Sequence, residues 1–239
     1  MHPTRNKLLN NLSPRDYEAI FPLLRQRELR THEVLTVPGQ KIKDVFFIES
    51  GVCSVIVGAA DTEEIDVGLI GYEGVMDLVM DPGDSSVLKV LIQVAGTASV
   101  ISAEDYADWI AGRPEALRMM VRYHQAMTVQ ICYTALAHGS YSLIERLARL
   151  LLMLFDRMDG ADLPFVHDRL ASMLSVRRAG VTTTIHLLEG YGAIKSNRGL
   201  IKLRDRDALI NLAAGSYGTP EKEYKRMLGS EPTMERAKR

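Results

Sequence analysis

At 239 residues, 46% apolar and 25% charged, the chain has an ordinary globular composition, which excludes a disordered or collagen-like polymer and leaves room for two domains of ~100–200 residues each. Its longest apolar run, Leu147 to Phe155, is broken by Arg149 and is too short for the ~18–20 residues of a membrane span. The first residues carry positive charge without an apolar core, so no secretory signal is expected and the expected location is the cytoplasm. Two isolated cysteines, Cys53 and Cys132, exclude a Cys-ligated iron–sulfur cluster and a Cys-rich zinc site; both thiols are expected to be buried small apolar groups.

The net charge of −1 argues against a generally basic nucleic-acid coat, but its distribution is uneven. Between Leu163 and Arg206 there are eight Lys and Arg against three Asp and Glu, a local +5, so the rest carries −6. Such asymmetry is expected where one module faces a polyanion and another does something else.

Ser13-Pro14 reads as a cap and first position of a helix with Tyr17, Ile20, Leu23 and Leu24 at helical spacing. From Arg30, short β-branched and aromatic runs (34–37, 45–48, 52–57, 65–70 and 87–94) alternate with turn residues such as Pro38-Gly39, Ser50-Gly51 and Gly96. That spacing predicts a small all-β sandwich or barrel. A short helix is expected over 103–111. Beyond Pro114 a long helix is expected: Leu117, His124 and Ile131 are seven apart, as are Met120, Met127 and Thr134, which predicts a coiled-coil seam pairing two copies, the alternative being a helix lying on its own β domain. A further helix runs from Ser142 to about Met158 and stops at Asp159-Gly160.

Two short helices, 168–173 and about 177–189, joined by a tight turn at Ser175-Val176, form a helix-turn-helix pattern. The turn has Ser where Gly is frequent. Residues 190–203 then read as two short strands around a turn, a wing. Arg178, in the first turn of the second helix, is placed for a bidentate contact to guanine, and Arg177 for phosphate. Thr182 and Thr183 are placed for phosphate or a thymine methyl, and Lys195 and Arg198 for phosphate. Cations at a helix start oppose its dipole, which favours a partner over a merely solvated start. Residues 214–239, rich in Gly, Ser, Pro and mixed charge, are expected to be a mobile tail.

Three stretches carry a resemblance. Pro38-Gly39 through Val45-Phe-Phe-Ile48 to Gly51-Val52, the long helix, and Asp168-Arg-Leu-Ala-Ser-Met-Leu-Ser-Val-Arg-Arg-Ala-Gly-Val181 together resemble the cyclic-AMP receptor protein and fumarate–nitrate regulator (Crp/Fnr) family of bacterial transcription regulators over roughly residues 20–210. The resemblance implies an α+β chain: an N-terminal cyclic-nucleotide-binding-like β-roll (jelly-roll) over 1–112, a long dimerisation helix over 113–138, and a winged helix-turn-helix over 139–213. It implies a homodimer, paired through Leu117, Met120, His124, Met127 and Ile131, that reads a palindrome in double-stranded DNA. It also implies an effector at the β-roll, and activation by contact with RNA polymerase as the commoner behaviour.

The chain departs from that pattern where cyclic AMP is held. The family's Gly-Glu-Leu element and Arg-Ser pair correspond to Gly71-Tyr-Glu-Gly74 and Asp84 to Lys89, and no Arg occurs between Arg30 and Arg113. Without a guanidinium the cyclic phosphate loses its bidentate partner, so a cyclic nucleotide is not expected. Glu73, Gly74, Lys89 and His124 are the candidate effector contacts, with His124 as a weak haem-ligand candidate; no cofactor or metal is expected. In the second helix Ala179 and Thr183 replace an acidic residue and an Arg of the cyclic-AMP branch, so the operator is expected to differ. A ligand-binding or protein-interaction module without DNA readout is the competing reading. An enzyme has no support from His-Glu-x-x-His, Gly-x-Ser-x-Gly or a phosphate-cradling loop.

Overall fold

Two polar patterns start the chain. Asn6 caps α1 (Lys7–Asn10), accepting from the amides of Leu8 and Leu9, while Ser13 caps α2 (Pro14–Ile20), whose Tyr17 and Ile20 turn inward. The computed structural model describes residues 4–58, 64–76, 81, 83–160 and 162–229.

Antiparallel strands follow: β1 (Arg25–Leu29), β2 (Val34–Thr36), β3 (Asp44–Val57), β4 (Ile65–Ile70), β5 (Val75–Met76) and β6 (Lys89–Ser102). They hydrogen-bond in the order β1-β6-β3-β4, with β2 on β6 and β5 on β3. The sequence pattern gives no strand over 25–29, because Arg-Gln-Arg-Glu-Leu buries only Leu29. It is an edge strand whose charged face suits solvent.

β3 and β6 run unbroken through Gly51 and Gly96, where the sequence pattern predicts turns. The register between them shifts at Ser50 and Val52, a local bulge. Gly51 has φ +86 there, and a Cβ on it would lie 2.5 Å from the Val94 carbonyl oxygen. A Cβ on Gly96 would sit inside the main chain of Ser50. The two glycines let the long strands bend together across the roll.

The strand core, built on Phe46, Ile48, Cys53, Ile92 and Val100, is closed by a second cluster that joins Phe47 and Ile101 to α1, α2, α3 (Ala103–Ala111) and α4 (Pro114–Ser140). α4 is tied to the roll by two polar contacts. Gln130 Oε1 accepts the Leu69 amide at 2.6 Å, and the Tyr123 hydroxyl donates to the Val75 carbonyl. Its inward face therefore comprises Ala116, Met120, Tyr123, Ala126, Gln130, Thr134 and Ala137. Of the expected seam residues, Met120 is buried in its own chain and Leu117, Met127 and Ile131 are half-buried, while His124 is exposed. The open face instead carries Val121, Gln125, Thr128, Cys132 and Ala135 at alternating four- and three-residue spacing. Cys53 is buried as expected, whereas Cys132 is exposed because it lies on this open face.

α5 (Leu143–Phe155) starts at a Ser142/Glu145 capping box. Its apolar face organises the C-terminal core with β7 (Asp162–Leu163), α6 (His167–Leu174), α7 (Arg178–Gly190), β8 (Ile194–Asn197), β9 (Leu200–Leu203) and α8 (Arg206–Leu212). Val52, Leu69 and Val94 of the roll reach into this core, so the two domains pack together. Arg149, the charge inside the apolar run, donates to the Ser216 carbonyl and to Thr134 Oγ1, and burial lowers its pKa to about 10.

The expected mobile tail is corrected over its first half. α9 (Thr219–Leu228) is a capped helix that packs along α4, with Leu228 and Tyr224 joined to the apolar cluster around Met120 and Tyr123. Its apolar residues are four apart or fewer within a single short helix, too little pattern to register in a polar stretch. Residues 230–239 lie outside the described residues.

Candidate nucleic-acid interface

α6 and α7 are held at a fixed angle by the turn between them. Ser175 caps α6 in the left-handed region, φ 50 and ψ 53, and its amide and that of Val176 close on the carbonyls of Ser172 and Ala171. An L-residue there costs roughly 1–2 kcal/mol over Gly, and the Ser175 hydroxyl is buried without a hydrogen-bond partner among the described residues. Ser175→Gly is therefore expected to raise the unfolding free energy by about 1 kcal/mol, read from a shift of the urea midpoint at constant slope; a loss of stability would show that the hydroxyl matters to the turn.

Val181, Thr184, Ile185 and Leu188 seat α7 on the core. The opposite side points to solvent. Arg177 is the residue before the helix and makes no side-chain cap; Arg178 begins it. Both are exposed. Arg178 Nε lies 3.4 Å from Asp168 Oδ1 with both side chains about two-thirds exposed, a surface pair that costs little to break. Thr183 is exposed and its hydroxyl donates to the Ala179 carbonyl at 3.1 Å. Thr182 is half-buried and its hydroxyl is engaged by His167 Nδ1 at 2.9 Å, so α6 fixes its orientation. His186, one turn further along this face and exposed, went unread in the sequence, although the i, i+4 spacing from Thr182 marks it.

The wing closes through a two-residue loop. Asn197 pairs with Leu200, and the loop residues Arg198 and Gly199 have φ 44 and 82, the type I′ geometry that matches strand twist. Arg198 thus stands at the wing tip. Lys195, on β8, is exposed and lies 3.6 Å from Glu189 Oε1. Glu189 also accepts the Ser196 amide at 2.8 Å, which, with His186 and Lys195 nearby, holds its pKa below the usual carboxylate range. That carboxylate ties the end of α7 to the wing, so Arg177, Arg178, Thr183, His186, Lys195 and Arg198 belong to one rigid unit.

The four effector candidates do not share one pocket. His124 lines a cavity of about 370 Å³ between the roll and α4, walled by Val75, Met76, Ser86, Val90 and Thr128 among others. Its described lining holds no Lys or Arg. Glu73 faces a separate cavity of about 660 Å³ between α1, α4 and α9, paired with Arg157 at 2.8 Å. Gly74 serves the backbone: its carbonyl accepts from Asn6 and from the Ile48 amide. Lys89 is paired with Glu64 at 2.8 Å on the roll's outside. Among the described residues no group of three or more His, Cys, Asp or Glu is placed to hold a metal ion, and no helix is long and apolar enough to cross a membrane.

The described residues thus combine a β-roll, a long helix and a winged helix-turn-helix with an outward cationic face. Residues 145–212 match the family model of the Crp-like helix-turn-helix domain. The fold is that of the Crp/Fnr transcription regulators. A regulator of that family from Eubacterium rectale matches with a TM-score of 0.66 at 15% identity, over 87% of this chain and 98% of its own. FixK2 from Bradyrhizobium japonicum matches at 0.64 and 17% identity, over 79% and 96%. CLP from Xanthomonas campestris, described as a c-di-GMP-responsive global regulator, matches at 0.63 and 16%, over 80% and 99%. No curated protein matches the sequence.

Proposed function

We propose that this chain is a sequence-specific DNA-binding transcription regulator of the Crp/Fnr type, working in the cytoplasm as a homodimer on a palindrome, and an activator that touches RNA polymerase. The observation that carries the reading is the outer face of α7: Arg177, Arg178, Thr183 and His186 are exposed at the helix start and along one side, and the fold uses none of them in its core. Arg178 is assigned to guanine N7 and O6, Arg177, Lys195 and Arg198 to phosphates, and Thr183 and His186 to base edges or methyls further along the groove.

Pairing of two copies is assigned to the open face of α4, centred on Val121, Thr128, Cys132 and Ala135 with Leu117 and His124 at its flank. The 370 Å³ cavity is assigned to the effector. Its described lining has no Lys or Arg and carries the Asp84 carboxylate, which disfavours a cyclic nucleotide, whose phosphate needs a cationic fork. Burial of a haem iron on His124 has no support from the exposed position of that ring.

The test is to incubate the protein, without ligand, with fragmented genomic DNA and sequence what is retained, then titrate salt. A palindromic motif with half-sites ~34 Å apart is expected. With six phosphate contacts per dimer, log affinity should fall against log salt with a slope of about −5. No retained motif, with or without cell extract, and a flat salt dependence would instead make the helix-turn-helix a protein-interaction module.

A further inference from the structure

The loop that joins β4 to β5, Gly71 to Gly74, is gripped from both ends of the chain. On one side the Lys7 amide donates to the Tyr72 carbonyl and Asn6 Nδ2 to the Gly74 carbonyl at 2.7 Å. On the other, the Tyr224 hydroxyl of α9 donates to the Glu73 carbonyl at 2.5 Å. Arg157, just past α5, lies with Nε 2.8 Å from Glu73 Oε1, and its Nη1 donates to the Met153 carbonyl. The fit is close: a Cβ on Gly71 would lie 2.9 Å from Arg157 Cγ, and one on Gly74 would meet the Tyr123 hydroxyl.

Both groups are locked in the state these contacts need. Burial works against the Arg157 charge, but Glu73, Asp156 and Glu221 outweigh it and hold its pKa above the ordinary value. Burial, reinforced by Glu73, pushes the Tyr224 phenol up, so it remains a donor. The far end of the same loop is β5, whose Val75 and Met76 line the 370 Å³ cavity. A short rigid path thus leads from that cavity through the loop to two side chains that belong to the C-terminal half.

We propose that α9 and Arg157 form an intramolecular strap that grips the 71–74 loop, fixes the winged domain relative to the β-roll and reports the state of the neighbouring cavity to it. The strap regulates the assembly assigned above, and its DNA arm rests on that reading. A palindrome demands that two recognition helices be held at one spacing, so loosening the strap penalises two-site binding and spares a single half-site.

The experiment compares the unaltered chain, Tyr224→Phe and a deletion of residues 219–239 by hydrogen exchange and by binding to the selected palindrome and to its half-site. In both variants the peptides covering 71–76 should exchange at least tenfold faster while α5 to α7 keep their protection. Affinity for the palindrome should fall at least fivefold relative to the half-site. Unchanged exchange at 71–76, a loss of protection spread equally through α5 to α7, or a palindrome-to-half-site ratio that stays level or rises overturns the strap. If the unaltered chain binds no DNA, the regulator reading fails, and the exchange data alone still decide whether the strap exists.

Discussion

Arg178→Ala is expected to lower affinity for the selected palindrome by at least 30-fold while leaving the fold and the pairing of subunits intact. A bidentate Arg–guanine contact is worth ~1–3 kcal/mol of discrimination, and a symmetric dimer makes it twice, so the summed loss is roughly 2–6 kcal/mol, the lower bound of which corresponds to about 30-fold. The side chain is exposed and its pairing with Asp168 is a surface contact at 3.4 Å, so stability should move by less than about 0.5 kcal/mol. Binding to random DNA should barely change, because the residue is assigned to bases and not to phosphates. Lys195→Ala and Arg198→Ala provide the contrast: each should weaken specific and random binding alike and flatten the salt slope. A change below about threefold for Arg178→Ala, measured by titration at fixed salt, would remove the residue from base reading.

The largest effect on stability is expected from Gly96→Ala. The added Cβ would fall on the main chain of Ser50, with the Gly51 amide also within reach, so neither side can yield by turning a side chain. Overpacking of a tight site costs ~1–3 kcal/mol, and here the whole β3–β6 ladder must shift, which puts the loss at about 3 kcal/mol. For a chain of this size that lowers Tm by roughly 6–12 °C. Gly112→Ala is the control, since a Cβ there meets nothing within 4 Å. Near-equal melting of the two variants would show that the strands separate at Gly96.

The winged domain was readable in the sequence because its signals are local. Leu170, Ala171 and Leu174, then Val181, Ile185 and Leu188, carry the inward spacing of two short helices, and the outward cations stand out against the dipole they oppose. The roll was readable as a strand-rich unit but not in its joints: Gly51 and Gly96 look like turn residues, and only the pairing of one against the other makes them bends in continuous strands. β1 was hidden because an edge strand with one buried residue has no alternation to detect. The outward residues of α4 lie one position, about 100° around the helix, from the seven-residue series read in the sequence. Met120 and Met127 satisfy a heptad as well as Val121 and Thr128 do, and what decides between them is the roll against which α4 lies, a long-range fact. α9 was missed for the same reason: its partners, Glu73 and the α4 surface, are more than ninety positions away in the chain.

The hydrogen bond from Asn11 Nδ2 to the Leu228 carbonyl, 217 positions apart, sets an order in time. At ~5–20 residues per second of synthesis the first helices must wait roughly 10–40 s for the segment that completes their surroundings. Until then the apolar flank of α4 around Met119 and Tyr123 is uncovered, so a nascent roll is the stage most exposed to wrong association. Contacts of such sequence separation slow the final step of folding. Among the described residues, α9 thereby closes over α1, the helix made more than two hundred positions earlier.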